Sequence, residues 1–331
     1  MTDPAALPTT DLVDDPFDVW FAPDIDRGVL GGLMRRTNAH GLLTFGAWLV
    51  LCIATAALVV MSRHSLWVIP AMVVYGGVLC FSYAASHECA HGTAFKTRWL
   101  NEAVFWLTSL VFIEEPLYRR YSHAGHHTHT WFNALDPQKP YGNPLTVRRY
   151  LAVTLGPLLY VDAARQLARH SAGRFTQMER EFLPETERNK VITNSRIMAA
   201  IYLALALGGI AFRSPWPFLL YFVPRLLGGW IVTLYINTQH MCMAEDLTDH
   251  RKTTRSIECS WLERLLYWNM HFHIEHHLYP MVPFHALPAL NQRIAAQLPP
   301  PKSGVLGANA EILRAVSRQR LEPGFNLSKD R

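Results

Sequence analysis

The chain is short of charge. Only 17% of its 331 residues are Asp, Glu, Lys or Arg, against roughly 25% in soluble domains, and half are hydrophobic. That balance points to the bilayer before any motif is read. Cysteine patterning is also missing. Cys52, Cys80, Cys89, Cys242 and Cys259 form no CxxC and no regular framework, so they are expected to be reduced packing residues in a cytosol-facing protein. A secretory signal starts basic and turns apolar, whereas Asp3, Asp11, Asp14 and Asp15 come first here, so none is expected. The net charge of +5 does not imply nucleic acid, because the Lys and Arg residues flank apolar runs and read as charge that sets membrane topology. There is no internal repeat and no low-complexity tract.

What is present is long uncharged runs. Four spans are expected, at about 43–61, 66–86, 197–212 and 216–236, each near the length that crosses a bilayer. They make two hairpins with short links, each carrying one arginine, Arg63 and Arg213. The segment 87–196 carries Lys96, Arg98, Arg119, Arg120, Arg148 and Arg149, so the positive-inside rule puts it and both termini in the cytosol. Stretches 103–113 and 150–161 are too short to cross and suit re-entrant or interfacial helices. The expected organisation is a cytosolic segment 1–40, a membrane unit 41–290 and a cytosolic tail 291–331. The fold class is an all-α integral membrane protein, four transmembrane helices under a cytosolic helical cap. Arg225 sits inside the fourth span beside Pro224. Its expected explanation is a helix that breaks at the proline and lets the arginine snorkel; a substrate or lipid contact is the alternative.

Sixteen histidines are the strongest signal, because they cluster. His87-Glu-Cys-Ala-His91 is HxxxH, and both His123-Ala-Gly-His126-His127 and His273-Ile-Glu-His276-His277 are HxxHH. Helical residues three and four apart share a face, so each cluster can aim two or three imidazoles at one point. His87 follows the second expected span and His240 the fourth, with the other clusters in the polar segments. All nine can therefore converge at one membrane face. Nine imidazoles exceed the needs of one tetrahedral zinc, so two metals are implied, and imidazole suits Zn, Cu, Fe or Ni alike. His40, His64, His170, His250 and His285 are isolated and read as structural or surface residues. His129 and His271 lie beside clusters but off the spacing.

Ligating imidazoles pass their other ring N–H to an acceptor, often a carboxylate. Glu88, Asp136, Glu245, Asp246, Asp249, Glu258 and Glu275 are the acids nearby; Asp136 and Asp249 are the preferred candidates, and Asn237 is a candidate for holding a water.

With these boxes, and with Asn269-Met-His-Phe-His-Ile-Glu-His-His-Leu-Tyr-Pro280, the chain resembles the membrane fatty-acid desaturase and hydroxylase superfamily from about Ser86 to Pro288. The resemblance implies a di-iron centre that uses O2 to attack a C–H bond of a lipid or other partly apolar substrate. It implies His87, His91, His123, His126, His127, His240, His273, His276 and His277 as ligands of two iron ions. The stretches 91–101 and 244–251 are similar to bacterial oxygenases of the rhizopine-catabolism type. One departure is His273, where acyl-lipid desaturases often carry Gln. The His-Pro-Gly-Gly signature of a fused cytochrome b5 is missing, as are rubredoxin or ferredoxin cysteine sets. Electrons are then expected from a separate ferredoxin, rubredoxin or cytochrome b5 type donor with its reductase. Two alternatives stand beside desaturation: hydroxylation or oxidative dealkylation of a small molecule, and, from another class, a membrane metal-binding or transport protein.

Overall fold

The computed structural model describes residues 20–328; the acidic start from Asp3 to Asp15 lies outside them. Among the described residues the protein is helical, and the pairing of Ile257 with Lys302 is an isolated bridge rather than part of a sheet. In chain order the main elements are α1 (Asn38–Ser62), α2 (Val68–Ala90), α3 (Arg98–Phe112), α4 (Pro116–Thr128), α5 (Pro157–Ser171), α6 (Glu185–Ala211), α7 (Phe218–His240), α8 (His273–Leu278) and α9 (Gly304–Arg318). Helices α1, α2, α6 and α7 are long and apolar enough to cross a membrane. On α1 and α6 the residues Leu43, Val50, Ile53, Met61, Leu203, Leu207 and Ile210 face outward, as lipid-facing residues do.

Each of these helices extends beyond the run read from hydropathy. Apolar character marks only the lipid-exposed length, whereas hydrogen bonding carries a helix on through polar residues. Helix α6 thus starts at Glu185 rather than 197. Helices α2 and α7 run on to Ala90 and His240, so His87 and His240 belong to their last turns rather than to the segments beyond them. The stretch 150–161 is two helices, Val147–Thr154 and α5. They are divided at Gly156, whose φ of +80° favours glycine.

The centre of the membrane region is the crossing of α2 with α7, made possible by missing side chains. A Cβ on Gly76 would fall closer than 3.0 Å to the carbonyl of Pro224, and one on Gly228 would do the same to that of Val73. Backbones approach this closely only across small residues. Helix α7 is irregular there, with a π-turn at Phe218–Phe222 before Pro224.

Arg225 corrects the snorkelling expectation. It is buried, at 3% exposure, and its Nη1 donates to the carbonyl of Val111 at 2.6 Å and to the Tyr221 hydroxyl at 3.0 Å. Tyr202 and Tyr221 donate to the carbonyl of Leu110 at 2.9 and 2.7 Å. These groups cap the C-terminus of α3, where orphan carbonyls and the negative dipole end favour a cation. The proline does not free the arginine to reach water; the end of a neighbouring helix and Tyr221 accept from its Nη1 inside the protein, while Nε is buried without a partner.

On the polar side, Ile312, Ala315 and Val316 of α9 pack with Leu145, Tyr150 and Met241. The last forty residues therefore include part of the cap over the end of α7.

Candidate metal centre

Four elements deliver the nine clustered histidines. His87 lies on the last turn of α2 and His91 just past its end. His123, His126 and His127 lie on α4, which starts with Pro116 and is capped by the Glu115 carboxylate accepting the N–H groups of Leu117 and Tyr118. His240 ends α7. His273, His276 and His277 occupy the single-turn helix α8.

The structure sorts them into two groups. His87, His91, His123, His127 and His276 hold ring nitrogens within 4.8 Å of one another, and so do His126, His240 and His277. His273 joins the second group, its Nε2 being 3.0 Å from His240 Nε2 and 3.2 Å from His277 Nε2. The groups adjoin, with the rings of His127 and His277 stacked 4.2 Å apart.

The hydrogen bonds at the far side of each ring decide what the near side offers. His126 Nδ1 is 2.8 Å from Asp136 Oδ2, and His240 Nδ1 is 2.9 Å from the carbonyl of Thr253. His277 Nδ1 is 3.1 Å from the Thr130 hydroxyl. That hydroxyl spends its own proton on the carbonyl of His126, so it accepts from His277. All three Nδ1 atoms therefore donate to oxygen, and three bare Nε2 lone pairs converge. In the first group Gln138 Oε1 does the same for His123 Nδ1 at 3.1 Å. Both nitrogens of His87, Nε2 of His91 and Nδ1 of His127 and His273 are buried without a hydrogen-bond partner.

Buried lone pairs facing one another are costly unless a cation sits between them. Five of these imidazoles are also held uncharged. Burial holds His91 down to about 3, with the Arg119 charge adding to it. Burial and neighbouring imidazoles hold His123, His127, His276 and His277 well below the usual histidine range. Each of the two groups of buried, converging imidazoles is a donor set able to hold a metal ion.

Of the acids singled out from sequence, Asp136 orients His126. It also accepts the backbone N–H groups of Trp131 and Gln138, both at 2.8 Å. Asp249 is a correction: its carboxylate is engaged by Arg251, at 2.8–3.2 Å, because Asp249 caps the short helix His250–Thr253. Glu88 holds Thr93 and the N–H of Phe284, and Glu275 holds Ser256 and Asn291. Asn237 donates to Thr154. His250, set aside as isolated, is buried with its ring 5.2 Å from that of His277. No spacing signal connects it to a cluster, because the fold alone brings the 241–253 loop back. Thr130, Gln138 and the carbonyl of Thr253 were equally unmarked. His170 has the structural role expected, with Nε2 3.1 Å from Glu179.

A cavity of about 310 Å³ opens beside both groups, lined by His87, His123, His126, His240 and His273 on one wall. Tyr83, Glu114 and Arg119 line it as well. A second cavity of about 230 Å³ shares Phe112, Glu114, Gln166 and Thr233 with it and leads on to Tyr160.

Spanning helices under a cap that buries two all-imidazole groups define a helical membrane protein with a candidate two-metal site. The sequence match gives that class its family. Residues 64–305 match the fatty acid desaturase family, a stretch that holds all nine clustered histidines, and the chain belongs to that family. Among similar curated proteins are a fatty acid conjugase of Calendula officinalis, 24% identical over 236 residues, and a delta(12) fatty acid dehydrogenase of Crepis alpina, 23% identical over 240 residues. The first alignment covers 60% of this chain and 60% of the relative, and the second 63% and 62%. The chain thus spans about 60% of the length of the relatives it matches.

Proposed function

We propose that this protein is an O2-dependent, di-iron, desaturase-like oxidoreductase that acts on a C–H bond of a lipid or other partly apolar substrate. The observation that carries the reading is the set of three Nε2 lone pairs from His126, His240 and His277, each fixed by an Nδ1–H bond to oxygen. In this reading His87, His91, His123, His127 and His276 hold one iron, and His126, His240, His273 and His277 the other. When bound, the irons supply the activation of O2 and the removal of hydrogen from carbon.

The chain's own residues do the rest. Asp136, Thr130, Gln138 and the Thr253 carbonyl fix ring orientation and tautomer. Burial keeps His91, His123, His127, His276 and His277 neutral, and apolar lining residues such as Phe112, Ile236 and Met241 limit water beside the reacting carbon. The catalytic unit comprises residues 41–290, with the site and both termini facing the cytosol. Electrons come from a separate donor of ferredoxin, rubredoxin or cytochrome b5 type.

A second reading, hydroxylation or oxidative dealkylation of a small molecule as in rhizopine-type oxygenases, is favoured by the charged side chains on the cavity wall. Mass spectrometry under 18O2 separates the two: an alkene supports desaturation, and a labelled alcohol supports hydroxylation. O2-dependent product in the wild type and none in His126→Ala or His276→Ala is the expected result. Full activity in both variants refutes the proposed centre.

A further inference from the structure

Arg119 lies on α4 one turn before His123, so the two side chains leave the same helix face about 6 Å apart along the axis. Its side chain is 7% exposed and faces the cavity beside the histidines. Glu114 engages only one end of the guanidinium, with Oε2 3.2 Å and Oε1 3.4 Å from Nη1. The ring of Tyr83 flanks it, 5.1 Å from Cζ to the centroid. Nε and Nη2 are buried and make no hydrogen bond to Glu114; the Tyr83 side chain is the other polar neighbour of the guanidinium.

Those two atoms form one edge of the guanidinium, the edge that takes a carboxylate through two parallel N–H bonds. A buried cation with only a phenol beside its second edge is incompletely satisfied, and that is costly. An acyl chain passing along it would leave that cost uncompensated.

We infer that Arg119 is the anion-recognition residue of this cavity and that the substrate carries a carboxylate a few bonds from the carbon attacked. The Nε–Nη2 edge holds the carboxylate, and the single turn from Arg119 to His123 sets the distance from carboxylate to reacting carbon. Glu114 neutralises the arginine while the cavity is empty and competes with the incoming anion for it. A lipid whose head group stays in the interface would not reach this edge; a short carboxylate would. This inference rests on the proposed function only in taking the cavity as the substrate site.

The test uses the full chain in detergent, loaded with metal, and hexanoate and hexanamide as probes that share a size and differ in charge. Calorimetry measures binding, independently of turnover. The wild type is expected to prefer hexanoate by about tenfold or more, the factor that charge-assisted bonds of this kind supply. Arg119→Gln is expected to bind the two probes equally, and Arg119→Lys to recover part of the preference without the paired geometry. Glu114→Gln removes the competitor and is expected to tighten hexanoate but not hexanamide.

Equal binding of both probes by the wild type overturns the inference, and so does a preference that survives in Arg119→Gln. If the Arg119 variants fail to fold, Glu114→Gln decides alone: unchanged hexanoate affinity refutes the site. A hexanoate preference in a protein that oxidises nothing leaves the anion site standing and sinks the oxidoreductase reading. Oxidation without any preference does the reverse.

Discussion

Replacing Asp136 by Asn keeps the volume and removes the charge. In the wild type one oxygen faces His126 Nδ1 and the N–H of Trp131, both at 2.8 Å, and the other accepts the N–H of Gln138. Three N–H groups thus share two carboxylate oxygens. An asparagine presents one oxygen and an NH2, so an N–H donor meets another donor. The hydrogen bond to His126 loses its charge assistance, which roughly doubles such a bond. Removing an acceptor of this kind typically weakens metal binding about 10- to 100-fold, or about 1.4–2.7 kcal/mol. A buried N–H left unsatisfied costs a further ~1–3 kcal/mol of stability. In the proposed centre the weakened metal is the one assigned to His126, His240, His273 and His277. Chelator competition followed by metal analysis should therefore find one labile and one retained metal in Asp136→Asn, with both retained in the wild type. Thr130→Val removes the acceptor of His277 and should weaken the same position. Unchanged affinity at both positions in a folded Asp136→Asn protein would rule out this role for Asp136.

Gly76→Ala puts a methyl against the carbonyl of Pro224, and overpacking of this kind costs about 1–3 kcal/mol or more. A lower melting temperature or lost expression is expected, whereas Gly46→Ala, with open space around it, should match the wild type. Arg225→Met leaves the carbonyl of Val111 uncapped and should destabilise by about 1–3 kcal/mol; a melting temperature equal to the wild type would contradict the capping role. Burial alone would raise the Glu179 carboxyl, but His170, Arg169 and the Thr176 N–H outweigh it and hold it well below the usual carboxylate range. Its stabilisation is therefore present above the unfolded carboxylate pKa, about 4.3, and lost as pH falls through the lower folded value. Melts of wild type and Glu179→Gln should differ most at neutral pH and converge only in strong acid; a constant gap would count against this.

The sequence displayed the site more clearly than the fold. The HxxxH and HxxHH spacings are local, and helical periodicity carries them directly into geometry. The spans were legible in number and order but not in extent, because hydropathy stops where lipid stops and helix α6 does not. The partner of Arg225 lies on α3, and no local pattern encodes a contact across 114 residues. The same applies to His250, brought beside His277 by a loop. Asp136 and Asp249 looked equivalent in the sequence, yet one faces His126 and the other is engaged by Arg251 two residues on. A helix cap and a histidine partner use the same residue type, and only the fold separates them.

In the proposed centre nine imidazoles divide into two metal positions, both filled by iron. Metal analysis with Mössbauer spectroscopy on protein purified under reductant, without oxygen, tests it most directly. Close to two high-spin ferrous ions per chain in nitrogen-rich coordination are expected, falling to about one in His126→Ala. A single metal per chain, zinc in place of iron, or two irons retained in His126→Ala would contradict it.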